Sequence, residues 1–419
     1  MKNTKLSLVV ASMLALSTSS FADDARDIAE LKQQVKELQE MTQILTDETS
    51  DLKTGFNYTT VDDTKSFSGL GAAASKVYYS KSPLSVGGYG EMYFKSTDKA
   101  GTTTSEVNIK RFITYFGYKF SDTIILNTEI EYEGGGVEQA GGDAGGGDKV
   151  IVEFLYLDFL LSEYANIRLG NFLIPVGIIS ERHEPTLFTT VNRPETSRYL
   201  IPTTWAESGL MVFGNITSDV SYKVAAITAL QTTANGSKWL RDGRGGSFSN
   251  TNPNLGFVAR VDYTGIEGLV TGASTYYAPS ADAKDSQTFM YELHADYKNN
   301  GARVYGVYTQ TNRTNASDFN ATKGVQNAQG GYINVSFDIL TLTSSDYALP
   351  LFVQYESVNP QAKFVDGTSF DAVNTVTVGA NFFPHEQVVL KVEYATANND
   401  YDNTGINSNT FSASLGFVF

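Results

Sequence analysis

Thr123–Glu133 reads TIILNTEIEYE. Ile124, Leu126, Ile130 and Tyr132 share one phase of a two-residue period, and Asn127, Glu129, Glu131 and Glu133 share the other. Successive side chains of a strand point to opposite faces, so this segment predicts a strand with one apolar face and one acidic face. QTFMYELHADYK, residues 287–298, splits the same way: Phe289, Tyr291, Leu293, Ala295 and Tyr297 against Glu292, His294 and Asp296. In VVLKVEYA, Val388, Leu390, Val392 and Tyr394 alternate with Lys391 and Glu393. Charges this dense cannot face hydrocarbon cheaply, nor fill a dry core. They require water on their side of the sheet.

Working outward, alternating segments recur from Leu84 to the end: 84–96, 107–120, 123–133, 150–161, 166–173, 208–216, 220–231, 254–264, 269–278, 287–298, 302–311, 327–339, 347–357, 372–383, 387–397 and 408–419. The connections alternate in length. Short ones are SD at 121–122, SEYA, TSD, GIEG, NNG and PHE, with one of intermediate length at 340–346. Long ones fall at 97–106, 134–149, 174–207, 232–253, 279–286, 312–326, 358–371 and 398–407. A soluble sandwich has no reason to place every long loop after an odd-numbered strand. An outer-membrane barrel does, with short periplasmic turns and longer outer loops on strands of about 9–11 residues. The predicted fold is therefore all-β: a 16-stranded antiparallel transmembrane β-barrel over 84–419, wide enough for an aqueous channel.

Composition agrees. Among 419 residues there are 24 Tyr and 25 Phe, rich material for interfacial girdles. Cys is absent, which excludes disulfides and thiolate metal sites. A net charge of −15 argues against a nucleic-acid partner. The N-terminus carries Lys2 and Lys5, the apolar run LSLVVASMLAL, and small residues Ser20 and Ala22. This predicts a secretory signal over 1–22, cleaved after Ala22, and thus export to the bacterial outer membrane. Residues 23–53 predict a helix with apolar residues at Ile28, Leu31, Val35, Leu38, Leu45 and Leu52, a short periplasmic coiled coil. Asp23, Asp24 and Asp27 suit the positive end of its dipole. Residues 54–83 read as a Gly/Ser/Thr/Ala-rich linker.

The loop at 174–207 is unusual. It carries Leu187, Phe188, Val191, Tyr199, Leu200, Ile201 and Trp205, which need something to pack on. It also carries Arg182, His183, Arg193 and Arg198 among acids. The economical reading folds it into the barrel as a constriction; the alternative is a cap outside the pore. Arg182, His183, Arg193 and Arg198 then form the basic side with Arg111 on the wall, and Glu129, Glu131 and Glu133 the opposing acidic stripe. Glu292 and Asp296 also face the lumen, and acids outnumber bases there, which predicts weak cation preference or little selectivity.

No catalytic constellation emerges. His294 lies between Glu292 and Asp296, which suits a charge network better than a nucleophile's base. The Asp400, Asp402, Thr404, Gly405 run has EF-hand-like spacing, but Phe411 stands where the bidentate Glu belongs. GGGVEQAGGDAGGG at 134–147 lacks the Lys-Ser/Thr of a phosphate cradle. No cofactor and no metal are expected.

IKRFITYFGYKF (109–120), IVEFLYLDF (151–159) and IRLGNFLIPVG (167–177) ahead of a long loop resemble the phosphate-selective porin O/P family over roughly 107–215. The resemblance implies a homotrimeric outer-membrane porin with a periplasmic N-terminal helix. Its phosphate members line the channel with basic ladders, a pattern absent here. The expected function is passive diffusion of small hydrophilic solutes and ions. The alternatives are an anion or phosphate channel, or an envelope tether that uses the coiled coil. The terminal alternation of Phe411, Ala413, Leu415, Phe417 and Phe419 resembles the signal that such proteins present to the barrel assembly machinery.

Overall fold

The computed structural model describes residues 32–42, 66–133, 150–245, 254–279 and 285–419. The signal sequence, both ends of the expected coiled coil and the 134–149 loop lie outside the described residues. Residues 32–42 form a helix, α1, in a compact unit separate from the barrel. Val35, Leu38 and Met41 are exposed on it.

The barrel strands are β1 (Leu84–Lys99), β2 (Thr102–Lys119), β3 (Ile124–Glu133), β4 (Val150–Phe159), β5 (Asn166–Leu173), β6 (Ala206–Thr217), β7 (Val220–Thr228) and β8 (Leu255–Ile266). They continue as β9 (Leu269–Pro279), β10 (Gln287–Asn299), β11 (Ala302–Arg313), β12 (Val325–Asp338), β13 (Pro350–Phe364), β14 (Val373–His385), β15 (Val388–Ala397) and β16 (Ser408–Val418). Each pairs antiparallel with its sequence neighbours, and β1 pairs with β16 to close the barrel. Closure leaves no sheet edge. The outward phase is apolar and exposed, for example at Leu155, Leu293, Leu390 and Tyr394. The inward phase holds Glu129, Asp158, Glu292 and Lys391. Phe419 closes the seam: its N–H donates to Gly88 O and its carbonyl accepts from Gly88 N, both at 2.9 Å. Its ring stacks outside on Phe112, 6.1 Å between centroids.

Two expectations are corrected. The segment 97–106 is not a long loop, because β1 and β2 run on to a tight turn at Ala100 and Gly101 with φ of 54° and 79°. Its polar residues gave no apolar alternation, yet a hairpin in water needs none. Second, 54–83 contains more than linker: Ala72–Tyr79 forms helix α2, inside the barrel against β1, β2 and β3. Lys119 donates to Tyr78 O and Ser80 O at 3.3 and 2.6 Å, and Asn127 donates to Ala74 O at 2.9 Å. Gly117 makes room; a Cβ there would sit 2.5 Å from Val77 Cβ. Its small alanines, all buried, let α2 lie close against the wall as part of the interior cluster with Tyr89, Ile113 and Tyr115.

Candidate constriction in the lumen

The chain between β5 and β6 enters and leaves through a closed base, Ile174 N–H to Trp205 O at 2.8 Å. From there it crosses the lumen. Arg260 on β8 donates to Gly177 O at 2.6 Å, and Lys223 on β7 reaches Glu181 at 2.5 Å. Glu184 accepts from Ala73 N and Ala74 N at 3.1 and 3.2 Å, placing a carboxylate at the start of α2, where the helix dipole favours it. Pro185 lies over Gly416 of β16, whose missing Cβ would meet Pro185 Cβ at 2.7 Å. Arg303 on β11 donates to Leu187 O, and Lys391 on β15 donates to Phe188 O and Thr190 O. Val191 N donates to Glu393 at 2.8 Å and Thr196 N to Glu356 at 2.7 Å. Strands all around the barrel thus hold this loop by its backbone. Its apolar residues pack inside as well: Phe188, Leu200, Ile201 and Trp205 are buried, with Trp205 edge-on to Tyr276. The loop folds inward, as the apolar content of 174–207 required.

The expected site residues divide. Glu129 and His183 do not face each other across open space; they touch, with His183 Nε2 3.1 Å from Glu129 Oε1. Both are buried. Burial, then the charge of Arg193, pulls His183 down to about 4, so the imidazole is neutral at neutral pH. Glu131 lies 3.5 Å from Arg111, which also lies 3.9 Å from Glu91. Glu292 accepts from Ser274 and bonds His294 Nδ1, while His294 Nε2 meets Asp262 at 2.8 Å. Asp296 forms a two-point pair with Arg303 at 2.9 Å. These two acids are therefore consumed in wall networks. Glu133 remains exposed at the strand end.

Arg182 and Arg193 make no ion pair among the described residues, and Arg193 donates to His183 O at 3.4 Å. Arg198 is exposed and pairs with its neighbour Glu195 at 3.2 Å. Two further arginines join them from the loop after β7. Arg241 and Arg244 donate to Thr203 O, at 2.7 and 3.2 Å. Burial, then the charges of Arg244, Arg198 and Arg193, pulls Arg241 below its usual value, so these guanidinium groups sense one another. Backbone carbonyls hold them, and no acid neutralises Arg241 or Arg244 through an ion pair among the described residues.

Other lumen residues escaped the sequence reading. Lys110 follows the outward phase in a regular strand. A bulge between Glu91 and Met92 turns both Lys110 and Arg111 toward Glu91, with Lys110 3.6 Å away. Glu153 is displaced likewise: Glu129 pairs with Phe154 and Ile130 with Val152, so Glu153 is the extra residue and points inward beside Phe154. The Asp400 run is a turn, in which Asp400 accepts from Thr404 N and pairs with Lys99.

A closed sixteen-stranded barrel with an inward-folded loop after β5 defines the porin-type fold. The chain is 33% identical over 354 residues to an uncharacterised protein of Aquifex aeolicus (strain VF5), covering 79% of each, and belongs to the same family. No family model matches the chain. Among solved structures it is similar to Salmonella typhi OmpF in complex with daunomycin, at TM-score 0.53 and 12% identity, over 80% of this chain and 97% of that one. An anion-selective porin from Comamonas acidovorans matches at TM-score 0.51 and 11% identity, over 80% and 99%. The outer membrane channel DcaP of Acinetobacter baumannii matches at 0.50 and 13%, over 81% and 99%. At these identities the likeness is one of fold.

Proposed function

We propose that the chain is a passive diffusion channel of the bacterial outer membrane for small hydrophilic solutes and ions, narrowed by the 174–207 loop. One observation carries this reading. A loop with polar backbone and charged side chains crosses a charged lumen, inside a wall whose other face is apolar. Diffusion through such a path depends on geometry and field.

The pairing pattern favours an anion preference over the weak cation preference expected from the raw count of acids. Apart from Glu129 and Glu153, which meet His183 and Thr204, the acids that face the loop or line the wall bind wall cations, loop N–H groups or His294, whereas Arg182, Arg193, Arg241 and Arg244 keep their charge free of ion pairs among the described residues. A phosphate-specific ladder has no such support. Stepwise currents in a planar bilayer, with a reversal potential of anion sign in a KCl gradient, are expected. Absence of steps overturns the channel, and a cation-signed potential overturns the preference.

The outer-membrane address, the signal cleaved after Ala22 and the homotrimer belong to the same proposal. Exposed Val35, Leu38 and Met41 suit a coiled-coil partner. Deleting residues 25–53 should lower the trimer fraction on native gels and leave the unit conductance unchanged. An unaltered trimer with a detached envelope would instead support a tether. Phe419 fits recognition by the barrel assembly machinery. Its change to Asp should cut assembled barrel in outer-membrane fractions strongly, and normal levels would refute that role.

A further inference from the structure

We propose that Glu129, Glu153 and His183 form a binding site for one first-row divalent cation, of the Zn²⁺ class, between the barrel wall and the constriction loop. One ligand atom from each converges within 4.8 Å. His183 Nε2 lies 3.1 Å from Glu129 Oε1 and 3.8 Å from Glu153 Oε2. Ligand atoms of a tetrahedral ion bonded at about 2.0–2.1 Å sit roughly 3.3 Å apart, so only small side-chain shifts separate this arrangement from a loaded site.

The hydrogen-bond pattern points the same way. His183 Nδ1 lies 2.9 Å from Ser180 O, and a carbonyl only accepts, so Nδ1 carries the hydrogen. Nε2 then faces Glu129 Oε1 and Glu153 Oε2, the side on which an ion would bind in place of a shared proton. Metal-bound histidines are oriented in this way, through the other ring nitrogen. Glu153 Oε1 accepts from Thr204 Oγ1, which leaves Oε2 free. Glu129 Oε2 and Glu153 Oε2 are buried with no hydrogen-bond partner, on residues 0% and 8% exposed. Acceptors gathered out of water need an electrophile among them.

The chain departs from regular geometry to make this cluster. A regular β4 would aim Glu153 at hydrocarbon, whereas the bulge opposite Glu129 and Ile130 brings it inward. No lysine or arginine forms an ion pair with Glu129 or Glu153 among the described residues: Arg111 lies against Glu91 and Glu131, and Arg193 donates to His183 O. One nitrogen and two carboxylates suit a borderline ion better than Ca²⁺ or Mg²⁺, which take all-oxygen shells of six or more. The ion would clamp the loop to β3 and β4 and leave a fourth position for water.

The test uses the full-length barrel folded in detergent, stripped with chelator and titrated calorimetrically with ZnCl₂. One zinc per chain with a Kd near micromolar or tighter is expected. Glu153→Gln and His183→Gln, checked for folding by heat-modifiable gel mobility, should each weaken it by about tenfold or more. Zinc-edge X-ray absorption on the unaltered protein should report nitrogen and oxygen neighbours at about 2.0–2.1 Å, and needs no variant. No binding up to about 0.1 mM zinc, or equal binding in the variants, overturns the site. A cluster that merely shares a proton gives the first of these results. Binding is read without current, so failure here leaves the channel reading intact, and a silent bilayer leaves the metal site intact.

Discussion

Replacing residues 176–203 with a four-residue Gly/Ser bridge raises the single-channel conductance severalfold and weakens ion selectivity. The loop base survives, because Ile174 and Trp205 already approach to hydrogen-bonding distance, 2.8 Å, and a short bridge spans it. The barrel also survives. The groups uncovered are chiefly Glu129, Lys223, Glu356, Lys391 and Glu393, which return to lumen water, where an unpaired charge costs little, while Arg260 and Arg303 keep Asp262 and Asp296. The β-ladders, which hold the wall, are untouched. The loss falls instead on packing around Trp205 and Phe188, so the melting temperature should drop while the barrel still closes. Selectivity falls because Arg182, Arg193 and Arg198 leave with the loop, and Arg241 and Arg244 lose the Thr203 carbonyl that positions them. Planar-bilayer recording measures both quantities. Unchanged conductance would move the barrier to the short-turn end, where α2 lies, and deleting residues 66–80 would then be the variant that opens the pore.

The barrel was legible in the sequence because lipid and lumen impose opposite chemistries on alternate residues. Asn166–Leu173 and Leu269–Pro279 match their expected ranges within a residue. The failures have two physical sources. Where strands leave the membrane the outer face no longer needs apolar residues, so the polar start of β2 at Thr102 passed for loop and the end of β13 at Phe364 was cut short. Where a bulge adds a residue, parity breaks, and Lys110 and Glu153 enter the lumen against the local period. The site was less legible. That 174–207 folds inward follows from its apolar content, but partners such as Glu393 and Glu356 lie some 160–200 positions away, and no local pattern encodes those pairings. Helix α2 escaped because AAASKVYY spans only about two turns and its buried residues are mostly alanines, too small and too few to mark the stripe of a core helix.

Arg168→Met should destabilise the folded barrel by about 3–5 kcal/mol, the effect of stranding one partner of a buried pair. Arg168 meets Asp158 through two bonds, Nε to Oδ1 at 2.8 Å and the terminal nitrogen to Oδ2 at 2.9 Å, with both residues almost fully buried. Its guanidinium lies 3.9 Å over the Tyr156 ring, a stacking that lysine cannot reproduce. Asp158 also accepts from Tyr78 Oη at 2.7 Å, and Tyr78 stacks on Phe67 at 3.7 Å, so the pair fastens the segment preceding β1 to the wall. The substitution leaves Asp158 with a tyrosine hydroxyl against a full negative charge. Removing both charges in Arg168→Met/Asp158→Leu should recover much of the loss, because an apolar pair of similar volume needs no desolvation of ions. Denaturant unfolding in lipid vesicles measures both variants. The single variant should also show noisier current, since Tyr78 and α2 lose part of their anchor at the short-turn end. If Arg168→Met unfolds at the parent's midpoint, the pair is not what holds this segment, and the helix is kept in place by its other bonds, those of Lys119, Asn127, Glu184 and Lys76 among them.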